Sequence, residues 1–309
     1  LRGTLSHAQE IDKALVPAGK PANASRLAST IFIHSLTQGV ASGVDPEDLL
    51  LAVLTPDANG GGDDFGVVRR ALEDLYRTAW FLEYDGRRYR FKTEPSINKI
   101  IEDEMGLVGV SKAKLEIETR IRSIWKKGFL QPVYFPTDPN DVDDDAGAPK
   151  LAIMHFDAVQ SSANETVPPE LVRRIFKFSG VSESFRKFQN NVVFLVADKD
   201  QIENMVTVTR RYRAIGRIVG DAERMSEFEE RQRQDLTQKY NAAELDVRVA
   251  ITKAYRYLYY PAPEAGAGRD YLQREALPAQ EQGEVNSDQT NVIVRVLHQL
   301  GKVLTADDD

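Results

Sequence analysis

Three groups of residues are of types, and at spacings, that could do chemistry. The first is basic. Arg70, Arg77, Arg87, Arg88, Arg90 and Lys92 fall in one short stretch whose net charge over residues 66–92 is +3, inside a chain of net charge −7. Guanidinium and ammonium groups gathered in this way can hold the phosphates of double-stranded DNA, which position a protein on the duplex without reading its sequence. The second group is acidic. Asp157 and Asp198 each follow an apolar run, in His155-Phe156-Asp157 and Val196-Ala197-Asp198. Two carboxylates at the carboxyl ends of parallel strands could hold magnesium, but an aspartate after a strand more commonly caps the next helix or makes a turn. The third is Gly60-Gly61-Gly62. No Lys-Ser or Lys-Thr follows it and no apolar strand precedes it, so a phosphate-cradling loop is not expected and a simple turn is.

Other chemistries are excluded or weakened by composition. The chain has no cysteine, which removes disulfides, thiolate metal sites and cysteine nucleophiles. Its four histidines, His7, His34, His155 and His298, form no pair at metal-ligand spacing. His155 reads as a satisfied core residue. Arg210, Arg213 and Arg217 mark one helix face that could grip an anion, although pairing with Asp200, Asp221 or the acidic head of the next helix explains them more simply. The acidic stretch from Asp138 to Asp145, with five aspartates, reads as a solvated mobile loop.

The elements that must position the basic cluster can be read from periodicity. Phe65, Val68, Leu72 and Leu75 share one helical face, and the pattern turns to period two at Trp80. Asp85-Gly86 signals a two-residue turn, which pairs Leu82 with Tyr89 and Trp80 with Phe91, and sets Glu83 against Arg88 and Phe81 against Arg90. Upstream, Ser25 is expected to cap a helix over 26–39 with Leu27, Ile31, Ile33 and Leu36 inward. Asp45-Pro46-Glu47 opens a second helix, with aspartate as cap and proline at the first helical position. Helix, helix, helix, hairpin is the order of a winged helix-turn-helix, expected over 24–106, after a leader over 1–23. The winged helix could equally be a protein-docking module, because Glu73 and Asp74 beside the exposed face of its third helix would repel phosphate.

Downstream, a charged helix bridges 107–128, and an α/β domain is expected over 129–262. Strands are expected at Val133-Tyr134-Phe135, Leu151 to Phe156 and Val192 to Ala197, the last apolar throughout as in a strand buried on both faces. Helices alternate with them: Pro169 to Phe178, a short one carrying Phe185 and Phe188, Lys199 to Ile218, and a long one from Ser226 to Leu258. A linker at Pro261 to Gly268, a strand over Asp270 to Leu277 and a helix over Thr290 to Leu304 complete 263–309, a segment read as truncated. The fold class is thus mixed α+β and α/β, multi-domain, with the winged helix first and a small α/β domain with long helices after it. With no long apolar run and no signal peptide, a soluble cytoplasmic protein is expected. A chain that starts at Leu1 without methionine and stops at Asp307-Asp308-Asp309 is expected to be a piece of a longer one.

Two stretches carry a family resemblance. Tyr89-Arg90-Phe91-Lys92-Thr93-Glu94-Pro95-Ser96-Ile97-Asn98-Lys99-Ile100-Ile101 resembles a segment of large bacterial ATPases grouped as the domain-of-unknown-function family four-nine-nine, found in anti-phage loci beside DNA methyltransferases. Asn190 to Asp198 is similar to a second segment of that family, and the arginine-rich helix and the Ala254-Tyr255-Arg256-Tyr257-Leu258 stretch follow in the same order. The resemblance implies an AAA-type P-loop ATPase with its ATP- and magnesium-binding core upstream. It implies no cofactor within these residues, because the family's Gly-Gly-Gly-Lys-Thr loop has no counterpart here. It further implies a non-catalytic part of a defence ATPase. That part would engage double-stranded DNA or, alternatively, recruit a methyltransferase or nuclease partner; a metal-dependent enzyme in the α/β domain is the remaining alternative.

Overall fold

A computed structural model describes residues 6–15, 22–37, 42–55, 64–93, 96–278 and 288–303. The fold is mixed α+β, and the chain divides into two compact units, Leu1–Leu107 and Val108–Asp309. The Gly60-Gly61-Gly62 turn lies outside the described residues.

The first unit is built from α1 (His7–Leu15), α2 (Asn23–Ser35), α3 (Pro46–Val53), α4 (Phe65–Thr78), the hairpin β1 (Leu82–Tyr84) and β2 (Tyr89–Phe91), and α5 (Ile97–Leu107). Its core joins Leu27 and Ile31 of α2, Leu49 and Val53 of α3, and Val68, Leu72 and Leu75 of α4 to Leu82 of the hairpin. Asp45 caps α3 by accepting from the Asp48 amide at 3.0 Å, with Pro46 in the first turn, as the sequence predicts. The other expectations for α2 are revised. Its cap is not Ser25 but Asp12 of α1, which accepts from the Ala24 amide at 2.7 Å and the Ser25 amide at 2.9 Å. The stretch read as a leader therefore contains a helix that closes the start of α2 and adds Ala8 to the core. Ile33 and Leu36 point outward, 64% and 67% exposed, because α1 and α4 cover only the Leu27 and Ile31 face.

In the second unit β3 (Gln131–Tyr134), β4 (Lys150–Ile153) and β8 (Val192–Asp198) run parallel. The strand β9 (Tyr257–Pro261) joins β8 antiparallel, and β10 (Leu272–Ala276) joins β9 antiparallel. The short β5 (Gln160–Ser161) pairs with the end of β8. Every residue of β8 is buried, and its alternation divides the core. Val193, Leu195 and Ala197 face α6 (Val110–Ile124), α8 (Lys199–Val219), α10 (Glu230–Ala254) and α11 (Gln289–Gln299). Val192, Phe194 and Val196 face Val172, Ile175 and Phe176 of α7 (Glu170–Lys177). A strand covered on both faces must be apolar at every position, which is what made it legible. It is parallel on one side only.

Several elements differ from expectation. The helix read as a bridge, α6, packs into this core through Ile117, Ile121 and Ile124. The long helix expected from Ser226 starts at Glu230 as α10, because Ser226 ends a separate short helix, α9 (Ala222–Ser226), and Glu229 takes an extended conformation and forms a capping box with Gln232. Leu258 leaves the helical stripe for β9, paired with Leu195, because Tyr257 to Tyr260 is β-prone and meets the open edge of β8. Phe185 lies on a small hairpin, β6 (Phe178–Ser179) with β7 (Ser184–Phe185), rather than a helix. The helix expected in the truncated 263–309 segment, α11, buries Ile293, Val296 and Leu297 in the same core as the α/β elements.

The acidic stretch is also revised: it is an ordered knot around Arg186, which is 4% exposed. That guanidinium donates to the carbonyls of Ile175, Asp143, Val142 and Phe178 at 2.9–3.1 Å. Asp144 accepts from the Lys187 and Phe188 amides and the Ser179 hydroxyl, and Asp138 and Asp141 cap a single 3-10 turn. Aspartates that look like solvated charge are here hydrogen-bond acceptors for backbone.

Candidate nucleic-acid interface

The basic stretch lies on α4 and the hairpin that follows it. The hairpin register is Leu82 with Phe91, Glu83 with Arg90 and Tyr84 with Tyr89, two residues away from the sequence-based pairing. The turn is four residues, Asp85 to Arg88, closed by the Asp85 amide donating to the Arg88 carbonyl at 3.3 Å. A shift of two keeps every side chain on its face, so the inward set was right while the partners were not. The physical reason is Asp85. Its Oδ1 accepts from the amides of Arg87 (3.0 Å) and Arg88 (2.8 Å), a side-chain-to-backbone turn that widens the loop. The amides of Arg88 and then Arg87 hold the Asp85 carboxyl below the usual carboxylate range. Gly86 takes φ +91°.

The root of the hairpin is rigid. Tyr84 and Tyr89 stack at 4.5 Å, and Tyr76 of α4 meets both rings edge-on. Val44, just before α3, forms a bridge to Tyr89 with its amide and carbonyl at 2.9 and 2.8 Å, making a third strand position beside β2. Gly43 permits this approach: its φ is +94°, and a Cβ there would stand 2.6 Å from the Tyr89 carbonyl oxygen. The Ser35 hydroxyl at the end of α2 accepts from the Phe91 amide at 2.8 Å. No periodicity in the sequence reveals these ties; the Gly43-Val44 pair is the signal that could have.

The six basic residues are not equivalent. Arg90 bonds Glu83 through Nε (3.0 Å) and Nη2 (2.9 Å), and Lys92 pairs with the same carboxylate. Burial pushes the Glu83 carboxyl up, but the hydrogen bonds and charges of Lys92 and Arg90 prevail and hold it below its ordinary value. On α4, Arg77 pairs with Asp74 at 3.0 Å and Arg69 with Glu73 at 3.4 Å, so the exposed face of that helix neutralises itself. Arg88 is half-buried, and its charge helps to hold Asp45 low after the hydrogen bond from the Asp48 amide. Arg70 and Arg87 are exposed and form no ion pair among the described residues. Because Asp85 is committed to the turn's amides, it leaves the charge of the Arg87 guanidinium outward.

The two aspartates of the acidic pair have separate partners. Asp198 caps α8 through the Asp200 amide at 3.1 Å and accepts from the Tyr257 hydroxyl at 3.4 Å. Asp157 pairs with Lys114 at 2.7 Å. Among the described residues no group of three or more His, Asp or Glu side chains stands where it could hold a metal ion. His155 is part-exposed rather than core. Its Nδ1 accepts from the Asp157 amide, and its ring stacks on Phe156 at 4.6 Å. Arg213 pairs with Glu116 of α6, and Arg210 donates to the Val108 carbonyl. No helix among the described residues is long and apolar enough to cross a membrane. No family model, curated protein or solved structure matches the chain.

Proposed function

We propose that the first unit is a winged helix-turn-helix that engages the backbone of double-stranded DNA through the hairpin turn, as a non-catalytic module of a bacterial anti-phage ATPase. The observation that carries this reading is the Asp85 turn, which fixes Arg87 and Arg88 by their backbone and leaves the Arg87 side chain outward. Hairpin arginines contact phosphate or minor groove in such folds. The self-paired face of α4 argues for backbone contact over base readout, with Arg70 as the helix's contribution. Arg77, Arg90 and Lys92 would contribute only by exchanging a carboxylate for a phosphate. ATP and magnesium would belong to an upstream domain.

A second reading, a scaffold that recruits a methyltransferase or nuclease, is favoured by Phe32, Ile33 and Leu36, which leave an apolar strip 54–67% exposed on α2. Salt separates the two. Duplex binding through Arg87 and Arg88 should weaken steeply with added salt, and charge reversal at both (R87E/R88E) should weaken it strongly and lower the slope of what remains by about two phosphate contacts. Weak binding that the double variant leaves unchanged would remove the DNA reading, and partner capture insensitive to salt would favour the scaffold.

A further inference from the structure

A cleft of about 580 Å³ opens in the second unit where the chain enters its parallel strands. Leu130 precedes β3, Pro149 precedes β4 and Asn191 precedes β8, so the cleft lies at the strand ends opposite to Asp157 and Asp198. Its buried lining includes Leu130, Val193 and Leu297, the last two meeting because that face of β8 packs on α11. Phe129 and Pro149 add apolar surface nearer to solvent.

One polar group of this lining lacks a partner. Tyr260, on β9, is 5% exposed and borders the cleft, and its hydroxyl makes no hydrogen bond among the described residues. Its neighbours in sequence are all satisfied: the Tyr255 hydroxyl donates to the Met154 carbonyl at 2.9 Å, that of Tyr257 to Asp198 at 3.4 Å, and that of Tyr259 bonds Ser161 at 2.8 Å. A buried phenol ordinarily finds such a partner. Burial first, and then Glu275 and Glu264, push the Tyr260 hydroxyl up, so it stays a protonated donor. Lys302, the charged residue of the lining, lies 5.8 Å from the centre of the Tyr260 ring and is already paired with Glu264 at 2.8 Å. The cleft thus offers apolar surface and a hydroxyl donor, with its charge matched.

We propose that this cleft binds a small uncharged aromatic carbonyl compound, whose oxygen accepts from the Tyr260 hydroxyl. A carbonyl is a neutral group that satisfies a lone donor, whereas a carboxylate would have to draw Lys302 away from Glu264. The rings of Phe129 and Tyr260 suit an aromatic body, which packs on such rings edge-on or offset. The volume falls within the range of small-molecule sites, about 300–1,000 Å³, and a mostly apolar lining with few placed polar groups is their usual composition.

The test is titration of the methyl-labelled full chain with acetanilide, an aromatic ring bearing a neutral amide, followed by NMR. The methyl resonances of Leu130, Val193 and Leu297 should shift and saturate. Tyr260→Phe removes only the hydroxyl, so it should weaken acetanilide about fivefold and leave ethylbenzene, which has no acceptor, binding as before. Val303→Trp, which puts a large ring into the lining, should exclude acetanilide. The proposal is overturned if these methyls show no saturable shift in the wild type, if Y260F binds acetanilide as tightly, or if V303W leaves that binding intact. It is also overturned if Y260F loses both probes alike, since packing rather than the hydroxyl would then be at work. Should V303W fail to fold, wild type and Y260F decide alone.

Discussion

At the scale of single residues, Glu83 governs how much positive charge the hairpin presents. It takes up both Arg90 and Lys92, so two of the six groups that look like one basic patch belong to a local ion-pair cluster. Its folded-state carboxyl titrates below the ordinary 4.5, so its contribution to stability is complete above that pH and is lost as the pH falls through the lower folded value. Denaturation midpoints of wild type and Glu83→Gln should therefore differ at neutral pH, by on the order of 1 kcal/mol for so exposed a cluster, and converge below pH 4.5. A gap that persisted in acid would mean that Glu83 acts through packing. The same substitution frees Arg90 and Lys92 and should strengthen duplex binding if the hairpin meets DNA. Asp85 is legible in the sequence as a turn residue, but its choice of the Arg87 and Arg88 amides is not, because a side chain that bonds backbone leaves no periodic trace.

At the scale of elements, the legible parts were those with a strong repeat. Val68, Leu72 and Leu75 on α4, and the unbroken apolar run of β8, can each satisfy one geometry only. What escaped was set by tertiary partners. Asp12 caps α2 from another helix, Val44 joins the hairpin from before α3, and the β-prone Tyr257 to Tyr260 stretch finds the edge of β8. The Arg186 knot is the sharpest case, since a lone arginine after Phe185 gives no hint of four backbone carbonyl partners. Arg186→Met should cost about 1–3 kcal/mol for each buried carbonyl that it leaves without a donor. Urea unfolding would measure it, and a loss under about 1 kcal/mol would show that water satisfies the carbonyls instead.

At the scale of the whole molecule, two cores of different kinds lie along one chain: a helical one closed by a hairpin, and a sheet covered on both faces. The second core takes in α11, so residues near the end of the described chain contribute to a sheet that begins at Gln131. Ile293→Ala should destabilise that unit by about 2–5 kcal/mol through the cavity it leaves. Hydrogen exchange should then show protection lost in β4 and β8 and retained in α2 and α4; equal loss in both units would mean that they unfold as one. In the first unit, the bridge from Val44 to Tyr89 has a consequence in time. A two-stranded hairpin is marginal by itself, and its third strand position comes from the far side of α3 and α4. The arginine-bearing turn therefore gains its rigid root only after those helices have docked, which makes the proposed DNA contact the last part of the unit to assemble and the first to be lost when its core loosens.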